Sequence, residues 1–189
     1  GYTPLPDQPP PSAPPDELQK ASYFYDFWRD DKHREGIWRK TTLESYRSGK
    51  PEYQTVIDLD ALERPNCGTA KTWVWHGSTL LDDGPDCKWD RVIIGLSPGG
   101  SDADTKREFD LREEKWLDPK DSFNMPEAAK TRLGYRARDE VLVGTDFGAD
   151  GSCLTDSGYP RVVKSWKRGT PIEDAKVVFE GEQTDIAAL

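Results

Sequence analysis

Short apolar, β-prone runs alternate along this chain with clusters of Gly, Pro and Asp, and no run keeps the spacing of an amphipathic helix. In the middle, residues 72–75, 90–96 and 106–111 are such runs, with a break through Ser97-Pro-Gly-Gly-Ser101 between the last two. They read as a meander of antiparallel strands. The grouping recurs upstream at residues 23–29, 36–43 and 53–59, and downstream at 131–135, 140–145, 159–166 and 175–180. About four strands repeating every 40 to 50 residues, or roughly so, is the pattern of propeller blades. The expected fold is therefore all-β, a partial β-propeller of about three four-stranded antiparallel blades at residues 22–60, 72–118 and 130–181.

The flanks and links divide the rest. Residues 1–21 hold seven of the 15 prolines, which favour extended polyproline II and cannot enter a sheet interior, so this part is expected to be a tether. Asp16-Glu-Leu-Gln-Lys20 could add one helical turn. Residues 46–51 are expected to be a turn, and 117–130 a link between the second and third blades. Residues 183–189 are expected to be the start of a further strand or a tail. About three blades cannot close a ring, so the open edges call for a further domain or another chain.

Composition narrows the partners. The formal net charge is -9 and the pI about 4.8, with Lys and Arg scattered, which argues against a nucleic-acid or anionic-membrane surface. A mean hydropathy of -0.83 with seven Trp, seven Tyr and six Phe suits thin sheets packed through large rings. No apolar run reaches the length of a membrane span and no signal peptide is visible. A soluble protein is expected, its compartment open between cytoplasm and an organellar lumen, because the chain starts at Gly1 without an initiator Met. Cys67, Cys87 and Cys153 make no disulfide framework; Cys67 and Cys87 flank one strand and could pair in an oxidising compartment, or all three could be free thiols.

Candidate chemistry fails on inspection, and no catalytic, cofactor-binding or metal residue is assigned. Gly95-Leu-Ser97-Pro-Gly99 matches the nucleophile-elbow pattern. However, Pro98 has no N–H for an oxyanion hole, a turn follows where a helix should, and His33 and His76 both precede Ser97. Asp102, Asp104, Asp146 and Asp150 suggest a calcium loop, but Gly148 offers no side-chain oxygen at the third position. With His33 and His76 alone and no Cys-x-x-Cys, zinc has no ligand pair. The rings of Tyr25, Trp28, Trp38, Trp73, Trp75, Phe109 and Trp166 are expected to fill the space between blades rather than to line a channel.

Several of these stretches together resemble the propeller domain of the prolyl oligopeptidase family of serine peptidases. The resemblance is carried by Tyr25-Asp-Phe-Trp-Arg-Asp30, Gly36-Ile-Trp-Arg-Lys-Thr-Thr-Leu43, Val56-Ile-Asp-Leu-Asp60, Trp73-Val-Trp75, Leu96-Ser-Pro-Gly-Gly-Ser-Asp-Ala-Asp104, Arg107-Glu-Phe-Asp-Leu111, Val143-Gly-Thr-Asp-Phe-Gly148 and Ser157-Gly-Tyr-Pro-Arg-Val-Val163. It spans residues 22–182. It implies a seven-bladed propeller capping an α/β-hydrolase domain and restricting access to short peptides, with the Ser-Asp-His triad in the hydrolase domain. None of those catalytic residues maps onto this sequence. The start departs from the family, whose members begin with a helical segment. The implied role is a non-catalytic lid and gate whose partner is a hydrolase domain. An orphan propeller piece serving as an accessory subunit of a larger complex is the alternative, and an independent peptide-binding module is a third.

Overall fold

The computed structural model describes residues 23–63, 72–84 and 88–187, together with the backbone of residues 3–4. Within these the chain is all-β, as the alternation predicts, and is organised as three successive antiparallel sheets. The first sheet runs in the order β1 (Thr3–Pro4), β2 (Tyr23–Trp28), β3 (Ile37–Thr42), β4 (Gln54–Asp58). The second runs β5 (Trp73–Leu80), β6 (Arg91–Pro98), β7 (Asp104–Asp110), β8 (Lys115–Trp116), with β9 (Met125–Ala129) also on β7. The third runs β10 (Arg132–Ala137), β11 (Glu140–Gly144), β12 (Val162–Lys167), β13 (Lys176–Glu180).

Three local expectations need correction. The strand expected to run through Leu43 stops one residue earlier, and α1 (Leu43–Arg47) stands where the start of a turn was read. Thr42 caps it by accepting a bond from the Ser45 amide, and Glu44 lies in its first turn, near the positive end of the helix dipole. The expected link at residues 117–130 contains β9. Asp104 pairs with Ala129 and Lys106 with Met125, while β8 pairs with the other end of β7 through Phe109–Trp116 and Asp110–Lys115. The second sheet therefore has five strands, and Pro126 is tolerated because β9 lies at an edge. The Pro-rich start, read as a tether, supplies β1, which pairs Thr3 with Tyr25 and Pro4 with Phe24 at the edge of the first sheet. The helical turn expected at residues 16–20, and the Cys67–Cys87 question, lie outside the described residues.

β6 explains how the sheets stack. Its run Val92-Ile-Ile-Gly-Leu96 is buried on both faces. Val92, Ile94 and Leu96 join a core with the first sheet, and Ile93 joins a second core with the third. The first core is largely aromatic. Tyr25 stacks on Trp38 at 4.7 Å, Phe27 on Trp75 at 5.2 Å, and Trp38 also meets Trp75 at 5.4 Å. Phe109 stands edge-on to Trp38 at 6.5 Å. Such pairs add roughly 0.5–1.5 kcal/mol each beyond the area they bury. The second core holds Ile93, Phe123, Leu133, Val141, Val143 and Trp166, with Phe123 edge-on to Trp166 at 5.2 Å.

Gly36 sets the start of β3. It adopts φ +104°, and a Cβ there would stand 2.3 Å from Phe27 Cζ. Gly36→Ala is therefore expected to cost at least roughly 2 kcal/mol through backbone strain and displacement of Phe27. Trp38→Ala, which empties the centre of the aromatic core, is expected to cost about 3–5 kcal/mol. Urea unfolding of the two variants checks both; a loss under about 0.5 kcal/mol in either would contradict the packing described.

Candidate functional site

The two faces of the second sheet differ in kind. Toward the first sheet it presents apolar and aromatic groups. Toward the third, β7 presents Asp104, Lys106 and Glu108 at alternate positions, beside Ile93 and Gly95 of β6. A charged strand face buried against a neighbouring sheet must find partners there, because an unpaired charge at low dielectric is very costly. Glu108 finds them on the third sheet, whereas Asp104 and Lys106 pair with each other and with His76 of β5, and together these groups make a polar seam between the second and third sheets. It gathers Glu108, Arg168, Asp139, Arg138, Asp83 and Asp90 in linked ion pairs.

Glu108 is the centre of the seam, with a side chain 0% exposed. Its two oxygens accept four hydrogen bonds, enough to fill a carboxylate's acceptor sites. Arg168 makes two of these, Nη1 to Oε2 at 2.7 Å and Nη2 to Oε1 at 2.9 Å. The Tyr135 hydroxyl donates to Oε1 at 2.7 Å and the Phe123 amide to Oε2 at 3.1 Å. Arg168 in turn uses all five of its donors. The remaining three go to the Asp139 carboxylate at 2.9 Å, the Asp121 carbonyl at 2.8 Å and the Arg138 carbonyl at 2.6 Å. Its guanidinium also lies 4.4 Å from the centre of the Phe123 ring. Beside it, Arg138 bonds Asp83 and Asp90, both at 2.9 Å.

The electrostatics follow from this geometry. Burial alone would lower the Arg168 pKa, but the hydrogen bonds and charge of Glu108, with Asp139, outweigh it and hold the guanidinium firmly charged. Burial raises the Tyr135 pKa well above the ordinary phenol value of 10.0, and the neighbouring Glu108 charge and hydrogen bond raise it further. The phenol therefore stays protonated and serves as a permanent donor.

A second cluster occupies another part of the same seam. Asp104 Oδ2 accepts from Lys106 Nζ at 2.7 Å and lies 3.3 Å from His76 Nδ1. Asp104 Oδ1 is buried and without a hydrogen-bond partner among the described residues. Gly95 makes room for the cluster, since a Cβ there would stand 2.8 Å from Asp104 Oδ2 and 3.0 Å from Lys106 Nζ. A cavity of about 250 Å³ opens here between β5 and β10.

The residues weighed from sequence fall as follows. Ser97 is buried within β6, and its hydroxyl donates to the Ser101 carbonyl at 2.9 Å rather than to a histidine. Asp102 lies 3.9 Å from Lys130 Nζ. Asp146 Oδ2 accepts from the Gly151 amide and Asp150 Oδ1 from the Ser152 amide, each at 2.9 Å, so this loop is fastened by its own carboxylates. Among the described residues no three His, Cys, Asp or Glu side chains gather as a metal site. His33 Nδ1 is 2.9 Å from Asp30 in an exposed turn. Of the ring set, Tyr25, Trp38, Trp75 and Phe109 pack between the first two sheets and Trp166 packs in the second core. Trp73 donates its indole N–H to the Glu63 carbonyl at 2.7 Å. Trp28 is 44% exposed, with Arg39 4.3 Å above its ring.

Sequence reasoning did not reach the Glu108–Arg168 pair. The available signal was the charged alternation of β7, but its partner lies 60 residues on, after β12.

No family model matches the sequence. The chain is 37% identical over 162 residues to the uncharacterized peptidase y4nA of Sinorhizobium fredii, covering 86% of this chain and 21% of that protein. It is 30% identical over 168 residues to the uncharacterized peptidase RP174 of Rickettsia prowazekii, covering 85% of this chain and 22% of that protein. The structure of a post-proline cleaving enzyme from Rickettsia typhi superposes with a TM-score of 0.74 at 29% identity, over 87% of this chain and 23% of that one. These matches bear out the resemblance to the prolyl oligopeptidase family. The chain spans about a fifth of the length of the curated relatives it matches. No helix among the described residues is long and apolar enough to cross a membrane.

The seam yields two expectations. Arg168→Ala leaves Glu108 buried and unpaired and should cost about 3–5 kcal/mol, whereas the paired replacement Glu108→Leu with Arg168→Met should lie far closer to neutral. Denaturant unfolding of both variants decides it, and equal losses would contradict the pairing. For Tyr135, the folded pKa is raised, so its stabilising contribution is complete below the unfolded value near 10 and is lost as pH rises beyond it. In an ultraviolet alkaline titration of the seven tyrosines, Tyr135 should ionise only with unfolding, together with Tyr25, which burial also raises. Complete, reversible ionisation of all seven in the folded chain near pH 10 would contradict this.

Proposed function

We propose that this chain is the propeller portion of a prolyl-oligopeptidase-like serine peptidase, serving as a lid and gate and contributing no catalytic group. The observation that carries the reading is the match itself. Nearly the whole of this chain corresponds to between 21% and 23% of each of three larger proteins, two of them named peptidases and the third a post-proline cleaving enzyme. The three sheets support it as successive blades, each built on antiparallel neighbours and stacked face to face. In this reading β5 and β10, which touch, are inner strands facing the axis, and β13, exposed along its length, is an outer one. The hydrolase domain with its Ser-Asp-His triad would be supplied by the rest of the peptidase. The seam at Glu108 would then hold two neighbouring blades at a fixed angle beside the passage that screens peptides by size.

The complete coding sequence and the activity of its product test the proposal. The expected result is a reading frame that continues past Leu189 into a hydrolase domain. The full-length product should hydrolyse a chromogenic post-proline peptide, and the 189-residue chain should not. Turnover by this chain alone overturns the proposal. So does a frame that closes near Leu189, which would favour an accessory subunit of a larger complex.

A further inference from the structure

A larger cavity, of about 380 Å³, lies where β8 and β9 part along the edge of β7. That volume falls at the low end of the range for small-ligand pockets. Strand register sets its floor. Trp73 of β5 pairs with Pro98 of β6, Leu96 of β6 with Thr105 of β7, and Ile94 with Arg107. Residues paired across antiparallel strands share a face, and so do alternate residues along one strand. Ile94 and Leu96 lie in the first core, so Thr105 and Arg107 project from the face turned toward the first sheet. Trp73 and Pro98 project from that face too, two residues from the Trp75–Leu96 pair. All four line the cavity, and Leu117 and Pro126 close its sides.

Arg107 is half-buried, yet it forms no hydrogen bond or ion pair with any described residue. Its guanidinium carbon lies 4.2 Å from the centre of the Trp116 ring. That contact engages one face of the group and leaves its five N–H donors free. The other partly buried arginines differ. Arg39 has Asp26, Arg91 has Asp110, Arg138 has Asp90 and Arg168 has Glu108. Burial accordingly lowers the Arg107 pKa, whereas carboxylates outweigh burial at Arg138 and Arg168 and raise theirs. A guanidinium drawn partly out of water without an acceptor is costly, and a cavity beside it leaves room for one.

The surroundings narrow what that acceptor is. The planar fork of a guanidinium matches a carboxylate bidentately. Glu127 is exposed at the rim, while the Glu108 carboxylate is taken up by Arg168 on the opposite face of β7. One positive charge inside, one negative charge at the rim and a chain of net charge -9 favour a monoanion over a phosphate dianion. The walls formed by Trp73, Pro98, Leu117 and Pro126 suit an apolar body behind the charge. We infer that this cavity binds a small monocarboxylate with a compact apolar ring, its carboxylate held by the Arg107 guanidinium that Trp116 backs. This goes beyond the proposed function and does not rest on it, since the site uses no peptide bond and no hydrolase domain.

The test uses the 189-residue chain with benzoate, and with benzamide as the neutral isostere. Binding is followed by the amide chemical shifts of Thr105, Arg107 and Leu117. The expected result is saturable, salt-weakened binding of benzoate in the millimolar range or tighter. Benzamide should bind at least about tenfold more weakly. Arg107→Gln should reproduce that loss with a melting temperature close to the parent's, because Arg107 has no polar partner to strand. Arg107→Lys should recover only part of the binding, since an ammonium lacks the fork. Arg132→Gln, which removes an exposed charge elsewhere, should bind as the parent does. Equal binding of benzoate and benzamide, shifts that never saturate, or an Arg107→Gln chain that keeps the parent's affinity would each overturn the inference. The comparison of acid with amide decides the matter even if the Arg107 variants fail to fold.

Discussion

The bond between Glu108 and Arg168 is the constraint on which the arrangement of the second and third sheets depends. A carboxylate with no exposed surface is tolerable only when every lone pair is occupied, and here four donors from three segments converge on it. Arg168 is equally committed, with its five N–H groups divided among two carboxylates and two carbonyls. Neither partner can move without stranding the other. The pair fixes where the β10–β11 turn and the segment after β12 meet β7.

The two interfaces of the second sheet achieve stacking by different means. Against the first sheet, indole and phenyl rings and the aliphatic face of β6 bury apolar area, a non-directional gain that tolerates small shifts. Among the described residues one ion pair, Lys40 with Glu114 at 2.5 Å, accompanies it. Against the third sheet, directional charge-assisted bonds fix the angle, and the apolar core is smaller, gathered around Phe123 and Trp166. The second arrangement is directional and specifies the geometry of the two sheets more tightly.

The fold was largely legible because β-strand alternation is a local signal. The runs read as strands at residues 140–145 and 175–180 correspond closely to β11 and β13, and the turn through Ser97-Pro-Gly-Gly-Ser101 joins β6 to β7. Misreadings arose where tertiary contact overrode local chemistry. Met125-Pro126 reads as a breaker, yet the free edge of β7 recruits it into β9. Leu43 reads as the end of a strand, yet the Thr42 cap turns the chain into α1. The candidate site was hardly legible, since β7 shows charges at alternate positions but not which residues neutralise them.

The sequence by itself determined that this chain forms antiparallel strands, that large rings do much of the packing, and that a turn follows Ser97-Pro98, since each follows from residue identity and spacing within a short window. Only the tertiary structure decided which sheet face is oily and which is ionic, and that Gly95 makes room for the Lys106–Asp104 pair. Those properties are set by side chains brought together from distant segments, such as Glu108 with Arg168 and His76 with Asp104. Pairings of that kind depend on sheet angle and register, which no single stretch of sequence encodes.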